Sequence, residues 1–147
     1  MGLPKRGRMY PKFATPKTLT KAEQRRLLRA VRAHGSPRDR ALLSLALSTG
    51  LRLRELAGLN VGDVSVGKAG TAWRIQFVFR EWQAAARFES VYPFHALRHS
   101  AITNVYRATR DLYLTQRFAR HSSPLTTTIY THPSDEELYA ALRGIKT

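Results

Sequence analysis

The chain has no cysteine, which excludes disulfides and thiolate-bound metal. It has no apolar run near the length of a bilayer span, and no hydrophobic core of a secretory signal follows its basic N-terminus. A cytoplasmic protein is therefore expected, or a nuclear one if the source is eukaryotic. Acid is scarce too: 10 Asp and Glu stand against 25 Lys and Arg in 147 residues, a formal net charge of +15. Self-repulsion on that scale opposes a compact state unless a polyanion screens it, so nucleic acid is the expected partner, ahead of an anionic membrane surface. A merely soluble or ribosomal basic protein is the plainer alternative. The length fits one domain with a real core.

Residues 1–19 carry Lys5, Arg6, Arg8, Lys12 and Lys17, no acid, and prolines at 4, 11 and 16. This is the composition of an extended basic arm that can follow a phosphate backbone, or of a solvated leader. Residues 20–147 read as the domain. Thr20-Lys21-Ala22-Glu23 is a capping box, Leu27, Leu28, Ala30 and Val31 follow at helical spacing, and Gly35 is the stop. Ser36-Pro37 opens a second helix, and its unbroken apolar run 41–47 predicts the most buried helix of the fold. Gly50 ends it. Arg52 begins a short helix through Ala57, with Glu55 three residues on and close enough to orient it.

Past Asp63 the pattern changes. Val64-Ser65-Val66 and the stretch from Trp73 to Phe79 read as strands joined by a turn at Gly67-Lys68-Ala69-Gly70, and Arg80 to Phe88 reads as a helix. The fold class expected is mainly α with a small β-hairpin or strand pair.

The chemistry concentrates in residues 95–132. His95, Arg98 and His99 fall on one face of a helix, and Leu97, Ala101, Ile102 and Val105 give it an apolar stripe for docking. A helix over 112–120, His121, a Ser-Ser-Pro break and a threonine run lead to Tyr130 and His132. Four histidines could form a metal cluster on paper, but the arginines around them would repel a divalent ion and no carboxylate is placed to help. His99 and His132 read first as helix-packing or backbone-bonding residues.

These residues resemble the catalytic box of the tyrosine recombinases, the phage-integrase family of DNA breaking-and-rejoining enzymes. The resemblance rests on four elements in the family's order: Thr49-Gly50-Leu51-Arg52 with Glu55-Leu56, then His95-Ala96-Leu97-Arg98-His99, then Ala119-Arg120-His121, then Tyr130-Thr131-His132. It implies a shortened recombinase catalytic domain that cleaves and rejoins double-stranded DNA at specific sites through a 3′-phosphotyrosyl intermediate, needing no metal, ATP or other cofactor. Tyr130 would be the nucleophile and Arg52 and Arg98 the clamp on the scissile phosphate. His95 would take the phenolic proton or position the phosphate, His121 would donate a hydrogen bond to it, and Lys68 would protonate the leaving 5′ oxygen. Arg120 stands where the family has glycine, adding a DNA-facing cation and removing conformational freedom. A terminal helix, capped by Pro133 to Glu137, would pack on its own domain or on a second protomer.

The chain departs from the family in one respect. Arg52 and His95 are only 43 positions apart, and the first strand of the hairpin has little room between Asp63 and Lys68. Both point to an internal deletion. An alternative function is thus a non-catalytic DNA-binding remnant or competitor of a full-length integrase. A helix-turn-helix regulator built on 21–34 and 37–49 fits less well, because the run 41–47 is too apolar to expose a base-reading face.

Overall fold

In the computed structural model the described residues are 16–59, 72–131 and 142–144. Among the described residues these helices follow one another: α1 Lys21–His34, α2 Pro37–Thr49, α3 Leu53–Ala57, α4 Ala72–Ala85, α5 His95–Thr109, α6 Leu112–Ala119 and α7 Pro124–Thr128. The local signals act where they were read. Thr20 accepts from the Glu23 backbone N–H while Glu23 accepts from that of Thr20, closing the capping box of α1. Ser36 caps α2 with Pro37 at its first turn. Gly50 ends α2 in the left-handed conformation at φ 60°, where a Cβ would lie 3.3 Å from the Phe118 ring and 3.4 Å from Ala101.

The expectation of a strand pair needs correction. Trp73 to Phe79 lies within α4, and no strand occurs among the described residues. Trp73, Ile75, Phe77 and Phe79 alternate and imitate a strand, but the side chains that bury are Ile75, Val78, Phe79 and Gln83, at helical spacing. Trp73 and Phe77, four apart, stack on the exposed side at 5.7 Å. The first strand and the 67–70 turn, with Lys68, lie outside the described residues, as do Lys5, Arg6, Arg8, Lys12, His132 and most of the terminal helix.

A second correction concerns burial. The helix with the fuller buried set is α5, with Ala96, Leu97, Ser100, Ala101 and Ile102, against Leu42, Leu43 and Ala46 in α2. It lies between α2 on one side and α6 on the other, so small residues on two faces are covered at once. One core gathers Leu27, Val31, Leu43, Phe79 and Leu97 from α1, α2, α4 and α5; a second joins Ile102, Ala119 and Tyr130 with Phe118 and Ile129. Polar clamps set where α5 begins. Gln83 donates to the Tyr92 carbonyl at 3.0 Å and accepts from its N–H at 2.6 Å, and the Tyr92 hydroxyl donates to Glu23. Ser100 accepts from the Leu19 N–H at 2.8 Å, and Asn104 donates to Gln24 at 2.9 Å. The start of α5, with His95 and Arg98, is thereby locked to α1 and α4.

Candidate active site

The site forms where the ends of α2 and α6 meet the face of α5. Arg98 is half-buried. Its Nη1 donates to the Gly50 carbonyl and its Nη2 to the Ala119 carbonyl, each at 2.5 Å. Both acceptors belong to helix C-termini, whose last carbonyls lack intrahelical donors and carry partial negative charge. Burial lowers the Arg98 pKa, with the charges of Arg52 and Arg120 acting in the same direction. The guanidinium stays charged at neutral pH.

Arg52 sits at the N-cap of α3. Glu55 reaches back to accept from the Arg52 backbone N–H at 2.7 Å and from its Nη1 at 3.3 Å, the pairing its spacing suggested. The same carboxylate accepts from Arg120 Nη2 at 3.0 Å, so one acid holds two arginines. Burial works against the Glu55 charge, but the Arg52 N–H and the Arg120 charge outweigh it and lower the pKa. Arg120 caps α6 at φ 53°, the left-handed conformation that glycine would adopt at less cost.

Tyr130 follows α7 and is 9% exposed. Its ring packs in the second core, while its hydroxyl meets His99 Nδ1 in a short hydrogen bond. The His99 ring lies 5.3 Å from that of His95 and 5.5 Å from that of Tyr130, and His121 stacks on Tyr130 at 6.1 Å. Burial pushes the His99 pKa down to about 4, with His95, Arg98 and His121 adding to it. At neutral pH its ring is therefore neutral and Nδ1 is free to accept from the phenol. Burial also lowers His121, with help from Arg98 and Arg52, and its Nδ1 pairs with Thr127 Oγ1 at 2.9 Å. Burial raises the Tyr130 pKa, and the Arg98 charge partly offsets this.

The structure thus brings Arg52, Arg98, Arg120, His121 and Tyr130 into one electrostatic neighbourhood. His95 is exposed beside it, at the rim of a cavity of about 430 Å³ lined by Leu53, α4 and the segment 91–94 that leads into α5. Lys17 is exposed ahead of α1. The residue that sequence reasoning passed over is His99. Read as a packing side chain, it is instead the partner of the Tyr130 hydroxyl. The available signal was its place four residues after His95, on the same face. Among the described residues no group of three His, Asp or Glu side chains is arranged to hold a metal ion, and no helix is long and apolar enough to cross a membrane.

Comparison with known proteins gives three kinds of likeness. The family model described as "Phage integrase family" matches residues 17–73 and 67–137, two segments that meet in the stretch where a deletion was expected. The tyrosine recombinase XerC of Caldanaerobacter subterraneus is 25% identical over 177 residues, covering 86% of this chain and 50% of that protein. XerC of Actinobacillus pleuropneumoniae is 28% identical over 144 residues, covering 65% of this chain and 47% of its own length. The chain spans about half the length of the curated relatives it matches. Because 86% of 147 residues is about 126, an alignment of 177 positions leaves about 50 without a counterpart here. Among solved structures, XerA recombinase superposes with a TM-score of 0.74 at 21% identity, covering 95% of this chain and 68% of that one. XerH recombinase bound to its difH substrate before cleavage gives 0.70 at 18%, covering 88% and 54%.

Proposed function

The chain belongs to the phage integrase family, and from that premise we propose that it is a site-specific tyrosine recombinase acting on double-stranded DNA. The observation that carries the reading is the Tyr130 hydroxyl on a neutral His99, inside the field of an Arg98 anchored by two carbonyls. Tyr130 Oη attacks the scissile phosphorus, the bond to the 5′ oxygen breaks, and DNA is left joined through its 3′ phosphate to the enzyme. Arg98 and Arg52 offer paired N–H donors to the non-bridging oxygens, where charge grows in the transition state. Arg98 is already held in place, so little reorganisation accompanies the reaction. His121 adds a hydrogen bond to the phosphate, and His95 positions it from the open side. Lys68 protonates the leaving oxygen by the family resemblance. Lys5, Arg6, Arg8, Lys12, Lys17 and Arg120 supply backbone contacts, and the C-terminal helix, with Leu142 53% exposed, is the surface for assembly on DNA.

His99 and Tyr130 are mismatched as a resting acid–base pair. Burial holds the His99 pKa at about 4 and pushes that of Tyr130 up from the ordinary phenol value, so the proton stays on Tyr130 without substrate. A phosphodiester bound at Arg98 places negative charge beside both groups and raises both pKa values, so it is the Arg98 cation, which lowers the Tyr130 pKa, that favours the attacking phenolate. The test is a nicked suicide duplex incubated with the protein: a covalent adduct is expected, lost in Tyr130→Phe. Salt-sensitive binding with no adduct would overturn the catalytic reading.

A further inference from the structure

Away from the site, α1 carries a second cationic surface. Its inward side chains are Glu23, Gln24, Leu27 and Val31. At about 100° per residue, Lys21, Arg25, Arg29 and Arg32 fall on the opposite side, and all four are exposed. Two surface grooves flank Arg29. One, of about 560 Å³, runs along Arg25, Leu28 and Arg32; the other, of about 300 Å³, lies between α1 and the end of α4 and adds Arg26, His34 and Arg87. Neither groove has a carboxylate in its lining. Arg26 lies over the Phe88 ring at 5.9 Å, which fixes one edge of the surface.

This arrangement works against the helix that bears it. Lys21 and Arg25, Arg25 and Arg29, and Arg29 and Arg32 are like charges at spacings of four, four and three, each of which destabilises a helix. A merely soluble helix face would alternate signs, and the one acid of α1, Glu23, points inward to cap the helix and receive Tyr92. The stripe from Lys21 to Arg32 is about 16 Å long at 1.5 Å per residue, the rise of four to five base-pair steps at ~3.4 Å. Its occupant is therefore a regular polyanion.

We propose that the outer face of α1 is a second duplex-DNA backbone site, which engages a different segment of DNA from the one held at Arg98. The inward face of α1 packs on α2 and α4 and reaches α5 through Gln24, so the stripe points away from the body that carries the reactive residues. The proposal takes from the functional reading only that the partner is duplex DNA, not that the chain cleaves it.

Because the chain has no cysteine, Ala33→Cys introduces its only thiol, at an exposed position lining both grooves. A 30-base-pair duplex of arbitrary sequence is titrated while the rate of thiol modification is read. At saturation in low salt, modification is expected to slow at least about fivefold, and to keep that protection in the added background Arg52→Gln/Arg98→Gln, where the reactive site is disarmed. In a separate titration, Arg25→Gln/Arg29→Gln/Arg32→Gln is expected to flatten the log–log salt dependence of binding by about 2.7, from ~0.9 per phosphate contact. An unprotected thiol, or an unchanged salt slope in the triple variant, overturns the proposal. If the duplex still binds in a way that Arg52→Gln/Arg98→Gln weakens, the DNA reading survives that failure; if no duplex binds at all, both fall.

Discussion

Two groups of arginine meet at the candidate site and are held by opposite means. Arg52 and Arg120 share one carboxylate, Glu55, with side chains 50% and 44% exposed. Arg98 is half-buried on two helix-end carbonyls, Gly50 and Ala119, with no carboxylate among the described residues bonded to it. The first pair is balanced by charge and can swing toward an anion as Glu55 lets go; exposed pairs of this kind are worth little to stability. The second is balanced by dipoles, which anchor the guanidinium without cancelling its charge. An anion arriving at Arg98 therefore meets an undiminished cation in fixed geometry, whereas at Arg52 it must compete with Glu55.

The sharpest way to break this comparison is at the group both sides serve. Tyr130→Phe should abolish the covalent adduct entirely on denaturing gels while leaving filter-retained DNA binding within about twofold, since phosphate contacts rather than the phenol hold DNA. Next, Arg98→Lys should lose about 10²–10³ in adduct rate and about 1–3 kcal/mol in urea denaturation, because one ammonium cannot span two carbonyls. Arg52→Lys should lose comparable rate but under about 1 kcal/mol of stability. Equal stability losses would erase the distinction between the two anchors.

A pH series sharpens it further. The folded pKa of His99, about 4, lies below its unfolded value near 6.5, so the folded state binds fewer protons between them. Its contribution is complete above about 6.5 and is lost as pH falls toward 4, with His121 adding loss of the same sign. Discounted for partial exposure, the His99 share is about 1–2 kcal/mol. Denaturation midpoints should fall through that window, and less so in His99→Gln. The smallest effect belongs to Glu55→Gln. Stability should change by less than about 1 kcal/mol, while DNA affinity rises and its salt dependence steepens as Arg52 and Arg120 are released, measured by fluorescence anisotropy.

Local signals were legible where the chemistry is local. The Thr20–Glu23 box, the Ser36-Pro37 start, the Gly50 stop and the Arg52–Glu55 pairing each involve groups within a few residues. The reading failed at Trp73 to Phe79, where alternating large apolar residues satisfied a period of two and the buried set followed a period of 3.6. It also ranked α2 above α5 in burial, because hydrophobicity marks what prefers to be buried, while covering on two faces decides what is. Nothing near Arg120 in sequence told that it shares a carboxylate 65 residues away.

By itself the sequence determined the cationic balance, the order of the motifs, the helix caps and the family, because composition and short-range hydrogen bonding are written in neighbouring residues. Only the tertiary structure decided that His99 rather than His95 meets the Tyr130 hydroxyl, and that Arg98 rests on the ends of α2 and α6. Those contacts join groups 21 to 48 residues apart, and which of two adjacent side chains on one helix face reaches a distant partner depends on how the helices pack.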